Sequence, residues 1–332
     1  MIILKDTAFV FPGQATHYTG MGKEIYDNFK EARDVYHFGS EIAGVDLAKL
    51  CFDGPDDILV KTENSQPTIH TTSIAVLAVL KEKYGFSATA SAGFSLGQYS
   101  ALVNAGALQY KDTVKLVKNR GMYMENAVNQ GLGKMVAIAG LERDQIYQIV
   151  EDSKHLGHIE PSNFNCPGQT IVAGYNAPVE HAAKLAEERG AALTVFLAVS
   201  GPFHTRLLIP AGNNLRKRIF EMGVEVKEPE IDYVDNVMGD YYVPGQDLDI
   251  IELLRQHVFK PVMWEDSVNA MLDRGVRTFV EIGPSKNKML TGLNLRTAEK
   301  KGIKVECFNI DNMENLTEGL KKLEKLAKDQ GY

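Results

Sequence analysis

The stretch Ala88-Thr89-Ala90-Ser91-Ala92-Gly93-Phe94-Ser95-Leu96-Gly97 decides the fold. Residues 88–92 read as a short strand and residues 96–105 as a helix. Between them lies the pattern G-x-S-x-G, with Ser95 at its centre. Glycines on both sides allow a tight, strained turn that pushes the serine hydroxyl out of the backbone. The helix that follows aims its free amides and positive dipole end at the place where negative charge would develop. A serine so placed suits covalent acyl chemistry. The pentapeptide by itself also fits a plain glycine-rich turn; the strand before it and the helix after it favour the catalytic reading.

Outward from this point, short apolar strands alternate with longer helical patterns, the rhythm of an α/β protein with a parallel sheet. Residues 7–11 read as a strand running into the turn Pro12-Gly13. Residues 67–83 read as a helix with Pro67 in its first turn. Asp112 reads as the N-cap of a helix that passes Arg120. The character changes near Gly131-Leu132-Gly133. A strand at 135–139, a helix at 143–152, strands at 158–163 and 170–173, a helix at 178–189 and a strand at 192–199 follow. This β-α-β-β-α-β order is ferredoxin-like. The alternation then resumes, with strands at 231–234, 278–282 and 303–308 and helices at 207–222, 250–258 and 315–328. The expectation is an α/β fold in two parts. Residues 1–131 and 200–332 form an α/β-hydrolase-like large subdomain with a parallel sheet, and residues 132–199 an inserted ferredoxin-like small subdomain.

Composition narrows the function classes. The 332 residues are 44% hydrophobic and 24% charged, ordinary for a globular protein and enough for a large core. The net charge of −7 argues against a nucleic-acid binder, which usually carries a basic excess. The three cysteines, Cys51, Cys166 and Cys307, show no CxxC pair and no metal-type spacing. An odd, low count fits a reducing compartment. The first apolar residues are too few for a signal peptide, and no stretch approaches the roughly 20 apolar residues of a membrane helix. These features lead us to expect a cytoplasmic protein that binds neither membrane nor nucleic acid, with no metal.

A nucleophilic serine needs a base. Among eight histidines, His204 in Ser200-Gly201-Pro202-Phe203-His204 is the best placed. It follows the last strand of the expected small subdomain and precedes a helix, at a junction where clefts form. The residues alone leave two readings open: a general base, or a loop histidine without a role.

At this point the chain resembles the malonyl-CoA:acyl carrier protein transacylases of fatty-acid synthesis. The likeness runs nearly end to end. It is carried by Phe11-Pro12-Gly13-Gln14, Gln66-Pro67, Gly93–Gly97 with Tyr99-Ser100-Ala101-Leu102, and Arg120-Gly121-Met122. It continues through Asn163-Phe164-Asn165-Cys166-Pro167-Gly168-Gln169, the segment from Ser200 to His204, Gln256, and Gly283-Pro284-Ser285-Lys286 through Leu293. The resemblance implies that Ser95 attacks the malonyl thioester and that His204 takes the serine proton and returns it to the leaving thiol. It implies that a backbone carbonyl orients the histidine, at the position matched by Gln256. The backbone amides of Gln14 and Leu96 are implied as the oxyanion hole. Arg120 is implied to bind the free carboxylate of malonate. A planar guanidinium suits that task, because it can grip a carboxylate with two hydrogen bonds. Asn163, Phe94 and Phe203 are implied in the substrate pocket. No cofactor is implied, since the CoA thioester is itself the substrate. The implied partners are malonyl-CoA and an acidic acyl carrier protein, docking on a basic patch that includes Lys286, Lys288 and Arg206. A monomer is expected.

The chain departs from the family pattern at three places. Phe94 stands where the family usually has His, Gln98 where it usually has Glu, and Ala15-Thr16-His17 where it usually has Gly-Ser-Gln. Phe94 removes a polar ring from the expected acyl pocket, with His17 a candidate to compensate; changed kinetics are expected rather than changed chemistry. In related polyketide synthase domains a Phe at the place of Phe203 goes with malonyl, so malonyl over methylmalonyl is expected. Two rivals remain. A serine hydrolase would need an acid in Ser-acid-His order and an HGGG-like loop, and no HGGG is present. A degenerate scaffold would need none of Ser95, Arg120 and His204.

Overall fold

The computed structural model describes residues 1–127, 131–199, 201–245 and 249–332. Ser200, the first residue of the segment that ends at His204, lies outside them, as does part of the large-subdomain range given above. The strands in chain order are β1 (Ile2–Phe11), β2 (Phe86–Gly93), β3 (Gly133–Ala139), β4 (Ile159–Cys166), β5 (Gln169–Tyr175) and β6 (Leu193–Phe196). After them come β7 (Asp232–Asp235), β8 (Asp240–Tyr241), β9 (Val262–Met263), β10 (Thr278–Ile282) and β11 (Glu306–Ile310). They build two sheets. One has the order β11-β10-β1-β2-β7-β8 and the other β6-β3-β5-β4-β9.

In the first sheet every pairing is parallel except the edge hairpin β7–β8. A parallel sheet is buried on both faces, which β1 illustrates. Ala8 and Val10 point into one apolar cluster, Phe9 and Phe11 into another on the opposite face, as a period of two requires. The C-terminal ends of β1, β2 and β7 therefore emerge side by side, the edge at which α/β sheets place their sites. These three ends carry Phe11–Gln14, Gly93–Ser95 and Asp235–Asn236.

In the second sheet, β3 pairs antiparallel with both β5 and β6, and β4 antiparallel with β5. With the helices Arg143–Ser153 and Asn176–Glu188 packed on one face, this is the ferredoxin-like arrangement. The sheet takes its last strand from elsewhere. β9 joins β4 in parallel, Asn163 opposite Val262 and Phe164 opposite Met263. The small sheet is thus stitched to chain well beyond residue 199.

Several elements differ from their sequence reading. The helix expected at 67–83 runs over Thr62–Ala78 and ends in a π-turn, Val79–Lys83. Pro67 sits inside it and not in its first turn. The early turns are lined by buried polar residues, among them Ser65, Gln66, Thr68 and His70. No apolar period marks them. The helix through Arg120 spans Tyr110–Asn126 and is capped at Gln109, so Asp112 lies in its first turn rather than at its cap. Helices at Lys30–Ala43, Trp264–Asp273 and Met289–Lys300 were not foreseen.

Candidate active site

The turn between β2 and the helix Gly97–Asn104 is built by contacts that exclude side chains. A Cβ on Gly93 would lie 2.0 Å from the carbonyl of Gly97, and one on Gly97 would lie 2.0 Å from the carbonyl oxygen of Phe11. The Phe94 amide donates to that same Phe11 carbonyl at 2.9 Å, and the Gly97 amide to Phe94 at 2.9 Å. This packing holds Ser95 at φ +49°, left-handed backbone that a serine does not favour.

Ser95 Oγ lies 2.8 Å from His204 Nε2. His204, also in left-handed backbone at φ +60°, places its Nδ1 2.8 Å from the carbonyl oxygen of His257. A carbonyl only accepts, so Nδ1 carries the proton and Nε2 turns a lone pair toward the serine hydroxyl. His204 is buried, and burial, then the positive charge of Arg120, push its pKa down to about 3, opposed by the carbonyls of His257 and Lys260. At neutral pH the imidazole is an uncharged base.

The orienting carbonyl corrects one expectation. It belongs to His257 and not to Gln256, whose Nε2 donates instead to Glu252 at 2.8 Å along its own helix. One residue is about 100° of turn on a helix, so the shift moves the contact to a different face. The His257 ring is fully buried 5.4 Å from the His204 ring.

Arg120 reaches the serine from the other side. Its guanidinium, 1% exposed, donates to Ser95 Oγ at 3.2 Å and to Gln66 Oε1 at 2.9 Å; Nε has no partner. Among the described residues no carboxylate pairs with it. Burial of an unpaired cation is costly, and desolvation accordingly lowers its pKa. The arrangement can bind an anion against a nucleophile. The backbone amides of Gln14 and Leu96 donate to no acceptor among the described residues; Gln14 follows the end of β1 and Leu96 the end of β2. The Gln14 side chain donates to Thr62 at 3.3 Å.

The remaining expected residues divide. Phe94 sets its ring edge-on to Trp264 at 5.6 Å, within the apolar cluster that contains Val10 and Val262. Phe203 is buried in the cluster that includes Met124 and Met135. Asn163, on β4, accepts from Ser162 Oγ at 2.9 Å; among the described residues it makes no hydrogen bond to Ser95, His204 or Arg120. His17 is half-buried with Nδ1 unpartnered, its pKa lowered by burial. Of the expected docking cations, Lys286 and Lys288 are exposed, whereas Arg206 is paired with Glu160 at 2.7 Å.

Sequence reading missed the far wall. The Ser95 amide donates to Asn236 Oδ1 at 2.7 Å, and Gln98 Nε2 donates to Asp235 Oδ2 at 2.8 Å. Gln98 stood out as a departure from the family pattern, and for Asp235 and Asn236 the signal was that they close a strand.

The acyl transferase domain family matches residues 8–309. The malonyl CoA-acyl carrier protein transacylase of Bacillus subtilis is 41% identical over 291 residues, 87% of this chain and 90% of that protein. A crystal structure of malonyl CoA-acyl carrier protein transacylase from Clostridium perfringens superposes with a TM-score of 0.92 at 37% identity, covering 98% and 99% of the two chains. A complex described as a type II PKS acyl-carrier protein with its malonyl-transacylase gives a TM-score of 0.88 at 33% identity, covering 95% and 99%.

Proposed function

The chain belongs to the acyl transferase domain family and is an acyltransferase, and from that premise we propose that it moves malonyl from malonyl-CoA to the phosphopantetheine thiol of an acyl carrier protein, for fatty-acid elongation. The observation that carries the malonyl assignment is the buried Arg120 guanidinium, 3.2 Å from Ser95 Oγ and paired with no carboxylate among the described residues. Malonyl differs from acetyl by one carboxylate. An uncharged acyl group leaves that cation unpaired and is disfavoured.

The reaction runs in two halves. His204 Nε2 takes the Ser95 proton as Oγ attacks the thioester carbonyl. The carbonyl oxygen becomes an oxyanion facing the amides of Gln14 and Leu96. The C–S bond breaks, and the proton on His204 passes to the CoA thiolate. The carrier thiol then gives its proton to His204, attacks the malonyl-serine ester and leaves as malonyl thioester, restoring the Ser95 hydroxyl. His204 stays oriented throughout by the His257 carbonyl. Lys286 and Lys288 are exposed cations suited to an acidic carrier.

The test is to acylate the protein with malonyl-CoA, remove free thioester and add holo-carrier protein. Transfer of the label to the carrier is expected. Release of free malonate at the same rate without a carrier would make the protein a hydrolase.

A further inference from the structure

The nucleophile's own amide is already engaged. Ser95 N–H points at Asn236 Oδ1, 2.7 Å away, so it is not among the amides left for an oxyanion. Asn236 is fully buried and held on both sides. Its main-chain amide donates to Gln98 Oε1 at 3.3 Å, and its main-chain carbonyl accepts the Met263 amide at 2.9 Å, while its side-chain Nδ2 is buried without a partner among the described residues. Gln98 in turn donates through Nε2 to Asp235. The Asp235 carboxylate also receives the Tyr233 hydroxyl at 3.1 Å and the amides of Val237 and Met238 at 2.7 and 3.2 Å. Gln98, Asp235 and Asn236 are all 0% exposed.

This wiring separates a neutral acceptor from a charge. A backbone N–H held in a strained turn needs an acceptor opposite it. A carboxylate there would oppose the oxyanion that forms beside Ser95, whereas an amide oxygen does not. The carboxyl group lies one residue back, on Asp235, where burial raises its pKa and the hydrogen bonds from Val237, Met238, Tyr233 and Gln98 oppose that rise, and Gln98 links it to the elbow. Resting on the reading of Ser95 as nucleophile, we propose that Asn236 is a positioning residue that fixes the Ser95 backbone for attack, and that Gln98 and Asp235 anchor it as a pair needing one carboxylate and one amide. With the charge on residue 98, the residue 235 amide nitrogen donates across the gap and its oxygen still accepts from Val237 and Met238, while the Tyr233 hydroxyl, which donates to Asp235 Oδ2 here, turns to accept from that nitrogen.

The test measures single-turnover acylation of Ser95 by malonyl-CoA in the full chain. Asn236→Ala lowers the acylation rate about 100-fold, with half-saturation by malonyl-CoA changed no more than about twofold. Asn236→Asp keeps an acceptor but adds a charge, and falls at least as far. Gln98→Glu alone sets two carboxylates face to face and loses about 30-fold or more. Gln98→Glu combined with Asp235→Asn returns to within about threefold of the unaltered protein. That rescue decides the matter even where Asn236→Ala does not fold. A double variant no faster than Gln98→Glu, or an Asn236→Ala protein acylating at the unaltered rate, would overturn the proposal. If the unaltered protein takes no acyl group on Ser95 at all, the transferase reading fails first and this one with it.

Discussion

At the scale of single residues, two groups meet at one oxygen: His204 at 2.8 Å and Arg120 at 3.2 Å from Ser95 Oγ. Their charges settle their roles. His204 is kept neutral and can accept a proton; Arg120 remains a cation and can select one. Arg120→Ala should cost malonyl transfer about 2–4 kcal/mol, roughly 30- to 1,000-fold. Acetyl transfer should change far less, and the ratio of initial rates with the two thioesters reads this directly. Gln256→Ala should leave acylation within about twofold, because its side-chain hydrogen bond among the described residues goes to Glu252. Phe203→Ser should raise methylmalonyl relative to malonyl transfer; no rise would remove Phe203 as the gate. The pH dependence follows from burial. His204 and His70 are both pushed from 6.5 down to about 3. Each stays neutral when folded but takes up a proton below about 6.5 when unfolded. The stability gained by keeping them neutral is therefore complete above 6.5 and is lost as pH falls toward 3. Acylation should show no limb near 6.5 on the way down to about pH 5. Ser95 and His204 were legible because glycines and a family motif surround them. Asn236 was not, because its contact with Ser95 spans 141 positions and no local pattern records it.

Elements set how far such a pattern can be read. The elbow was legible because its glycines answer a close approach of backbone to backbone, which a pentapeptide displays openly. Gly97→Ala should cost about 3 kcal/mol in urea unfolding, since its Cβ would meet the fixed Phe11 carbonyl. A cost under about 1 kcal/mol would mean that β1 and the elbow can separate. The helix Thr62–Ala78 was misplaced at its start for the opposite reason. It is buried nearly all round, with polar side chains facing neighbours: His70 contacts Ser100 at 2.8 Å and Thr113 at 2.7 Å, while the Ser65 and Ser73 hydroxyls have no partner among the described residues. Burial without apolar residues leaves no period to follow. The orienting carbonyl was misassigned by one residue, since a main-chain acceptor has no side-chain identity to match.

For the whole molecule, the alternation of strands and helices gave the α/β class and the ferredoxin-like order of the small sheet. It did not give β9. A two-residue strand paired with β4 is fixed by tertiary contact alone, and with it the connection between the sheets. Arg143 reinforces that connection. It forks onto Glu265 and Asp266 at 3.0 Å each and lies over the Phe164 ring at 4.5 Å. Arg143→Ala should lower unfolding stability by about 1–2 kcal/mol, less than a buried pair because its side chain is 30% exposed. The end of β2 delivers a serine, the segment after β6 a base and the helix Tyr110–Asn126 a buried cation to one point, and the cation chooses what the serine carries. The most direct measurement is the intact mass, followed by peptide mapping, of protein mixed separately with malonyl-CoA and acetyl-CoA, with Ser95→Ala as control. The account expects a malonyl adduct on the peptide containing Ser95, absent from Ser95→Ala, and little acetyl adduct. Equal acetyl and malonyl adducts, or a malonyl adduct that survives in Ser95→Ala, would contradict it.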